Sequence, residues 1–131
     1  MKVLSADDIL GAKDVKLDSV DVPEWGGRVY VREFSARVRE EFEEALYGDR
    51  DDDAPPDQKN VRARVVALAA CDATGKALFT LDQAAALAEK SNDALARVYD
   101  RAAALNRLRA KDRTDEKKES AAPPPAGSPT A

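Results

Sequence analysis

Thirteen residues constrain the fold of this chain more tightly than any other stretch: Val20-Asp21-Val22-Pro23-Glu24-Trp25-Gly26-Gly27-Arg28-Val29-Tyr30-Val31-Arg32. Val20 and Val22 alternate with Ser19 and Asp21, and Val29 and Val31 alternate with Arg28, Tyr30 and Arg32. That is the period of two expected of half-buried strands, so the stretch predicts a β-hairpin over about 15–32. Gly26-Gly27 can supply the positive φ angles of a tight connection, and Pro23, which lacks an amide donor, suits the end of an edge strand. Two roles stand open for Trp25: an indole folded over the apolar face as the core of the hairpin, or an aromatic tip that contacts another molecule.

What surrounds the hairpin reads as helix. Ser5 with Asp8 forms a capping box before a short helical turn that Gly11 stops. Ser35 is placed to cap a helix over about 36–47, with Val38, Phe42, Ala45 and Leu46 on one face. The segment 49–57 holds five aspartates and no apolar residue larger than proline, which predicts a loop. It lacks the alternating ligands, central glycine and closing glutamate of a calcium loop. Further helices are expected over about 58–71, 81–90 and 92–111. The last of these carries Leu95, Val98, Ala102, Leu105 and Leu108 as a narrow apolar seam, suited to packing on its own domain or on another subunit. Residues 112–131, rich in charge and then in proline and alanine, are expected to be a disordered tail. The fold class is therefore α+β, mainly α, with one domain over 1–111.

Of the 131 residues, 25 are alanine and only seven are aromatic, so the core is thin for the number of apolar positions. Thin cores favour burial against a second chain, and a homo-oligomer is the expectation. The formal charge of −4 argues against nucleic-acid binding through bulk positive charge. Charge is nevertheless polarised. Residues 33–57 hold ten acids and three bases, whereas 94–113 hold six bases and two acids. Such a chain can dock head to tail with its copies or offer a basic helix to an acidic partner.

Histidine is absent, which removes the commonest general base and metal ligand. Cys71 is the single cysteine and cannot pair within the chain. Gly26-Gly27 lacks the remaining elements of a phosphate-binding loop. No apolar window approaches the length of a spanning helix. These observations predict a non-enzymatic protein of the cytoplasm, with no cofactor, no metal, no nucleic acid and no membrane.

The order of segments resembles that of the tail assembly chaperones of long-tailed, siphovirus-type bacteriophages. The residues that carry the likeness are the Val20–Arg32 stretch followed by the helix through Phe42. To these are added Arg64-Val65-Val66-Ala67-Leu68-Ala69-Ala70-Cys71-Asp72-Ala73-Thr74-Gly75-Lys76-Ala77-Leu78-Phe79-Thr80, then Leu87-Ala88-Glu89-Lys90-Ser91 and Ala103-Ala104-Leu105-Asn106. The resemblance implies a chaperone that binds the tape measure protein, keeps it soluble until the tail tube polymerises around it, and is absent from the mature virion. It also implies a host-cytoplasmic location and, as further partners, the tail tube protein and a frameshift-extended form of the chain itself. A minor tail or connector protein of the virion, and a small DNA-binding regulator, are the alternatives. The family has no catalytic motif to carry over. The expected partner-binding residues are Trp25 and Tyr30 on the hairpin, with Leu95, Arg97, Val98, Arg101 and Leu105 on the last helix.

Overall fold

The computed structural model describes residues 1–48 and 54–110. The expected tail at 112–131, and residues 49–53 of the aspartate-rich loop, lie outside them. Within the described residues the chain folds as α1 (Ala6–Gly11), β1 (Leu17–Val22), β2 (Gly27–Arg32), α2 (Ala36–Tyr47), α3 (Val61–Ala69), β3 (Ala70–Cys71), α4 (Ala84–Leu87) and α5 (Asn92–Asn106). A three-stranded antiparallel sheet in the order β1-β2-β3 lies against the helices. This is the α+β, mainly helical class expected from the pattern.

The hairpin forms in a register that pairs Val20 with Val29 and Asp18 with Val31, placing the valines on one face. Val22 and Val31 are wholly buried, and Val20 and Val29 pack against the core from its margin. Its connection is wider than a glycine pair alone would make. Pro23–Trp25 form one 3-10 turn, Gly26 takes the left-handed conformation at φ 80°, and Gly27 already begins β2. The proline at the first position of that turn explains the difference, because its fixed φ favours a helical turn there.

The centre of the molecule is α3, which is buried on most of its circumference by Ala63 and the run Val65 to Ala69. It packs on α5, α4 and α2. The helix expected over 58–71 is shorter at both ends. Asn60 sits at φ 54°, a conformation asparagine tolerates, and Asp57 Oδ1 accepts from the Lys59 amide at 3.0 Å, so residues 57–60 make a turn. At the other end Ala70 and Cys71 become β3, pairing with Val31 and Tyr30. Arg32 ends the helix there by donating from Nε to the Leu68 carbonyl at 3.0 Å. The following turn is closed by Asp72, whose Oδ1 accepts from Thr74 N, Thr74 Oγ1 and Lys76 N at 2.8, 2.6 and 3.0 Å.

The helix expected over 81–90 is a 3-10 turn, Leu81–Gln83, leading into the single turn of α4. Gln83 Oε1 accepts from the Thr80 amide at 2.9 Å, and Ser91 Oγ accepts from Ala94 N at 3.3 Å, so the next N-cap begins where α4 has barely ended. The last helix stops at Asn106 and not at 111, which makes it about 22 Å long at 1.5 Å per residue. Arg107 adopts φ 52°, and Leu108 N and Arg107 N donate to Ala103 O and Ala104 O at 3.0 and 3.3 Å. This is the Schellman arrangement, with Leu108 packed against the core as its apolar contact. Among the described residues, eight of the twenty buried apolar residues are alanine. The large side chains among the rest, with Phe34 and Phe42 at 5.9 Å between ring centroids, therefore carry most of the apolar burial.

Candidate docking groove and hairpin tip

The residues singled out in the sequence separate into two groups. Val98 is wholly buried and Leu95 nearly so, both in the core, and Leu105 packs against that core half-exposed. Their seam is the inner face of α5. Trp25 stands in the turn at the hairpin tip, 37% exposed and outside the core cluster. Tyr30 is half-buried on the face opposite the valines, paired in register with Cys71.

The two arginines of α5 face the hairpin. Arg97 forms a bidentate pair with Glu24, Nη1 to Oε1 at 2.5 Å and Nη2 to Oε2, directly beside Trp25. Its guanidinium holds the Glu24 carboxyl below the usual glutamate range. One turn further on, Arg101 donates to Asp18 Oδ1 at 3.2 Å and to the Ser19 carbonyl at 2.8 Å. Ser19 N in turn donates to Asp18 Oδ1 at 2.8 Å. Both backbone groups of Ser19 on the edge strand β1 are thus occupied by side chains, which blocks strand addition at its centre. Fixing the tip is the work these basic residues do within the molecule.

A second feature was not visible in the sequence as a site. Between α2, the start of α3 and the end of α5 lies a groove of about 480 Å³, floored by Phe42, Leu46, Tyr47, Val61, Tyr99 and Leu108. Tyr47 is 53% exposed, and Leu46, Val61, Tyr99 and Leu108 are half-exposed. The Arg62 guanidinium lies 5.9 Å from the Tyr99 ring centroid, a cation–π contact that steadies the ring. On the α2 wall Arg39 and Glu43 pair at 3.4 Å, and Glu40 and Glu44, on the next strip of the helix outside the lining, are exposed. The only sequence signal was Leu46-Tyr47, two large apolar residues at the end of an otherwise acidic helix surface.

Cys71 is buried and its thiol is pushed up chiefly by desolvation, which makes it an inert part of the sheet. Among the described residues no group of three or more histidine, cysteine, aspartate or glutamate side chains is placed to hold a metal ion. No helix among them is long and apolar enough to cross a membrane.

The groove thus combines an apolar floor with charged residues of α2 along one wall, on a small α+β scaffold. The family model described as phage tail assembly chaperone matches residues 11–119, and the chain belongs to that family. No curated protein and no solved structure matches it at a significant level.

Proposed function

We propose that the protein is a non-enzymatic chaperone that binds the tape measure protein in the host bacterial cytoplasm. It keeps that protein soluble until the tail tube polymerises around it, and does not remain in the finished virion. The observation that carries this reading is the groove over Phe42, Leu46, Tyr47 and Tyr99. Its apolar floor suits one face of an amphipathic helix, the conformation in which a long helical protein would expose an unshielded stripe before assembly. The exposed acids of α2 favour a stripe flanked by lysine or arginine. Trp25 at the hairpin tip is the second contact in this proposal. Leu95, Val98, Arg97 and Arg101 serve it indirectly, by setting where α5 holds the hairpin.

Co-expression with the tape measure protein tests the proposal. The tape measure protein should become more soluble and co-purify with the chain. Tyr47→Glu, at a side chain already in solvent, should weaken co-purification about tenfold or more without unfolding the chain. Equal solubility with and without the chain, or its recovery in purified particles by mass spectrometry, would contradict the proposal.

A further inference from the structure

Exposed large apolar side chains are concentrated in the N-terminal segment of the described residues. Ten large hydrophobic residues are exposed among the described residues, and seven of them fall within the first 17 positions. In and beside α1, Val3, Leu4, Ile9 and Leu10 are between 58% and 91% exposed. No residue of α1 is buried, and none packs against the core cluster.

This helix is nevertheless held in shape. Six residues are far too few for an isolated helix to persist by propensity. Local devices compensate: Asp8 N donates to Ser5 Oγ at 3.1 Å, Ser5 N donates to Asp8 Oδ2 at 3.0 Å, and Lys2 pairs with Asp8 at 3.2 Å. Leu4 and Ile9 occupy the two positions of a hydrophobic staple. The result is a preformed arm with exposed apolar side chains. The family match begins at residue 11, so the arm precedes it.

A receiving surface lies at the root of the arm. A cleft of about 560 Å³ is lined by Lys13, Val15, Leu17, Arg32, Arg37 and Gly75, among others. Its lining carries three bases, Lys13, Arg32 and Arg37, against two acids, Asp14 and Glu33. Glu33 Oε1 already accepts from the Lys16 amide at 3.1 Å, and Arg32 is held by two carbonyls. Lys13 and Arg37 are left as the exposed cations of the cleft, and the first turn of α1 carries two acids, Asp8 paired with Lys2 and Asp7 beside it.

We infer that α1 of one copy seats in this cleft of a second copy, in a reciprocal exchange about a two-fold axis. Reciprocity follows from the placement. The arm leaves its own fold along residues that wall the cleft, so two copies brought together at the cleft each offer an arm to the other. The area is sufficient. At about 100 Å² for each of Met1, Val3, Leu4, Ile9 and Leu10, an arm buries roughly 500 Å². Two arms and the surfaces they cover then give roughly 2,000 Å², against about 1,200–2,000 Å² for a stable specific interface. The inference does not depend on the tape measure protein being the partner of the groove.

Sedimentation velocity on the full chain reads it directly. The chain should be dimeric, and Ile9→Asp with Leu10→Asp should raise the dimer dissociation constant about 100-fold or more. Because the arm adds nothing to the core, that variant and a deletion of residues 1–11 should keep the circular dichroism spectrum and melting temperature of the fold. Arg37→Glu should weaken the dimer, and adding Asp7→Lys should restore it, a rescue that non-specific apolar association would not show. A wild-type chain that is monomeric at about 100 μM, a dimer that survives the deletion, or failure of the charge exchange to rescue overturns the inference. So does an arm deletion that leaves oligomeric state unchanged but abolishes capture of the tape measure protein, which would make that protein the occupant.

Discussion

Asn106 bonds three backbone groups, two of which, at Arg32 and Phe34, join the last helix to the end of the hairpin, and its replacement should be among the more damaging single changes outside the apolar core. Oδ1 accepts from the Phe34 amide at 2.6 Å, while Nδ2 donates to the Arg32 and Ala102 carbonyls at 3.2 and 3.1 Å. Asn106→Ala leaves the Phe34 amide and the Arg32 carbonyl without these partners in a part-buried bend. Each unsatisfied group costs about 1–3 kcal/mol, the lower end applying where water can reach. The better helix propensity of alanine returns about 0.5 kcal/mol. The net loss is about 2 kcal/mol, a large share of the roughly 5–15 kcal/mol of a domain this size, or a fall of roughly 10 °C in Tm. Asn106→Asp keeps the shape and the acceptor but sets a carboxylate against two carbonyls at a helix C-terminus, where negative charge is unfavourable. Its loss at pH 7 should equal or exceed that of the alanine variant. The charged form is the one the fold disfavours, so the introduced carboxyl has a raised pKa in the folded state. The stability gap to wild type should therefore narrow as pH falls through the carboxylate range and widen as it rises. Urea unfolding of the three proteins at pH 7 and pH 4 measures this. An alanine loss below about 0.5 kcal/mol, or an aspartate gap that is constant or grows in acid, would refute the reasoning.

Val98→Ala removes two methyl groups from a wholly buried site and should cost about 2 kcal/mol in urea unfolding. Retained tape measure binding by the folded fraction would agree with a core role for Val98. The Glu24 carboxyl, held below its usual range by Arg97, stabilises its pair above the unfolded-state pKa and loses that contribution as pH falls through the lower folded value. Trp25 fluorescence should report the opening of the tip with a midpoint below the ordinary glutamate value, and Arg97→Gln should move that midpoint up. Cys71, buried and with a raised thiol pKa, should react with a thiol reagent only at the rate of unfolding, and faster reaction in native buffer would contradict its placement in the sheet.

Local signals account for much of the architecture. The alternation of Val20, Val22, Val29 and Val31 announces the hairpin, and Ser5, Ser35, Thr80 and Ser91 announce the starts of helical segments. The ends of α3 and α5 were not readable in the same way, because distant partners set them. The apolar run through Cys71 has no breaker, and only Arg32 on the Leu68 carbonyl, with the pairing to Val31 and Tyr30, turns its last two residues into a strand. The end of α5 lacks a glycine. Asn106 and the Schellman bonds of Arg107 and Leu108 stop a helix whose apolar period runs on to Leu108. The candidate site follows the same division. Arg97 and Arg101 stood out as a basic face, but their partners Glu24 and Asp18 lie 73 and 83 residues away. The groove draws on three separate segments, and no periodicity within one of them could reveal it.

The most direct test of the account is an NMR titration of the isotope-labelled chain with helical segments of the tape measure protein. Shifts should centre on Leu46, Tyr47, Val61, Tyr99 and Leu108, with Trp25 affected at the tip and basic-flanked segments binding tightest. Binding that leaves these residues unperturbed, or that is indifferent to the charge flanking the apolar stripe, would contradict it.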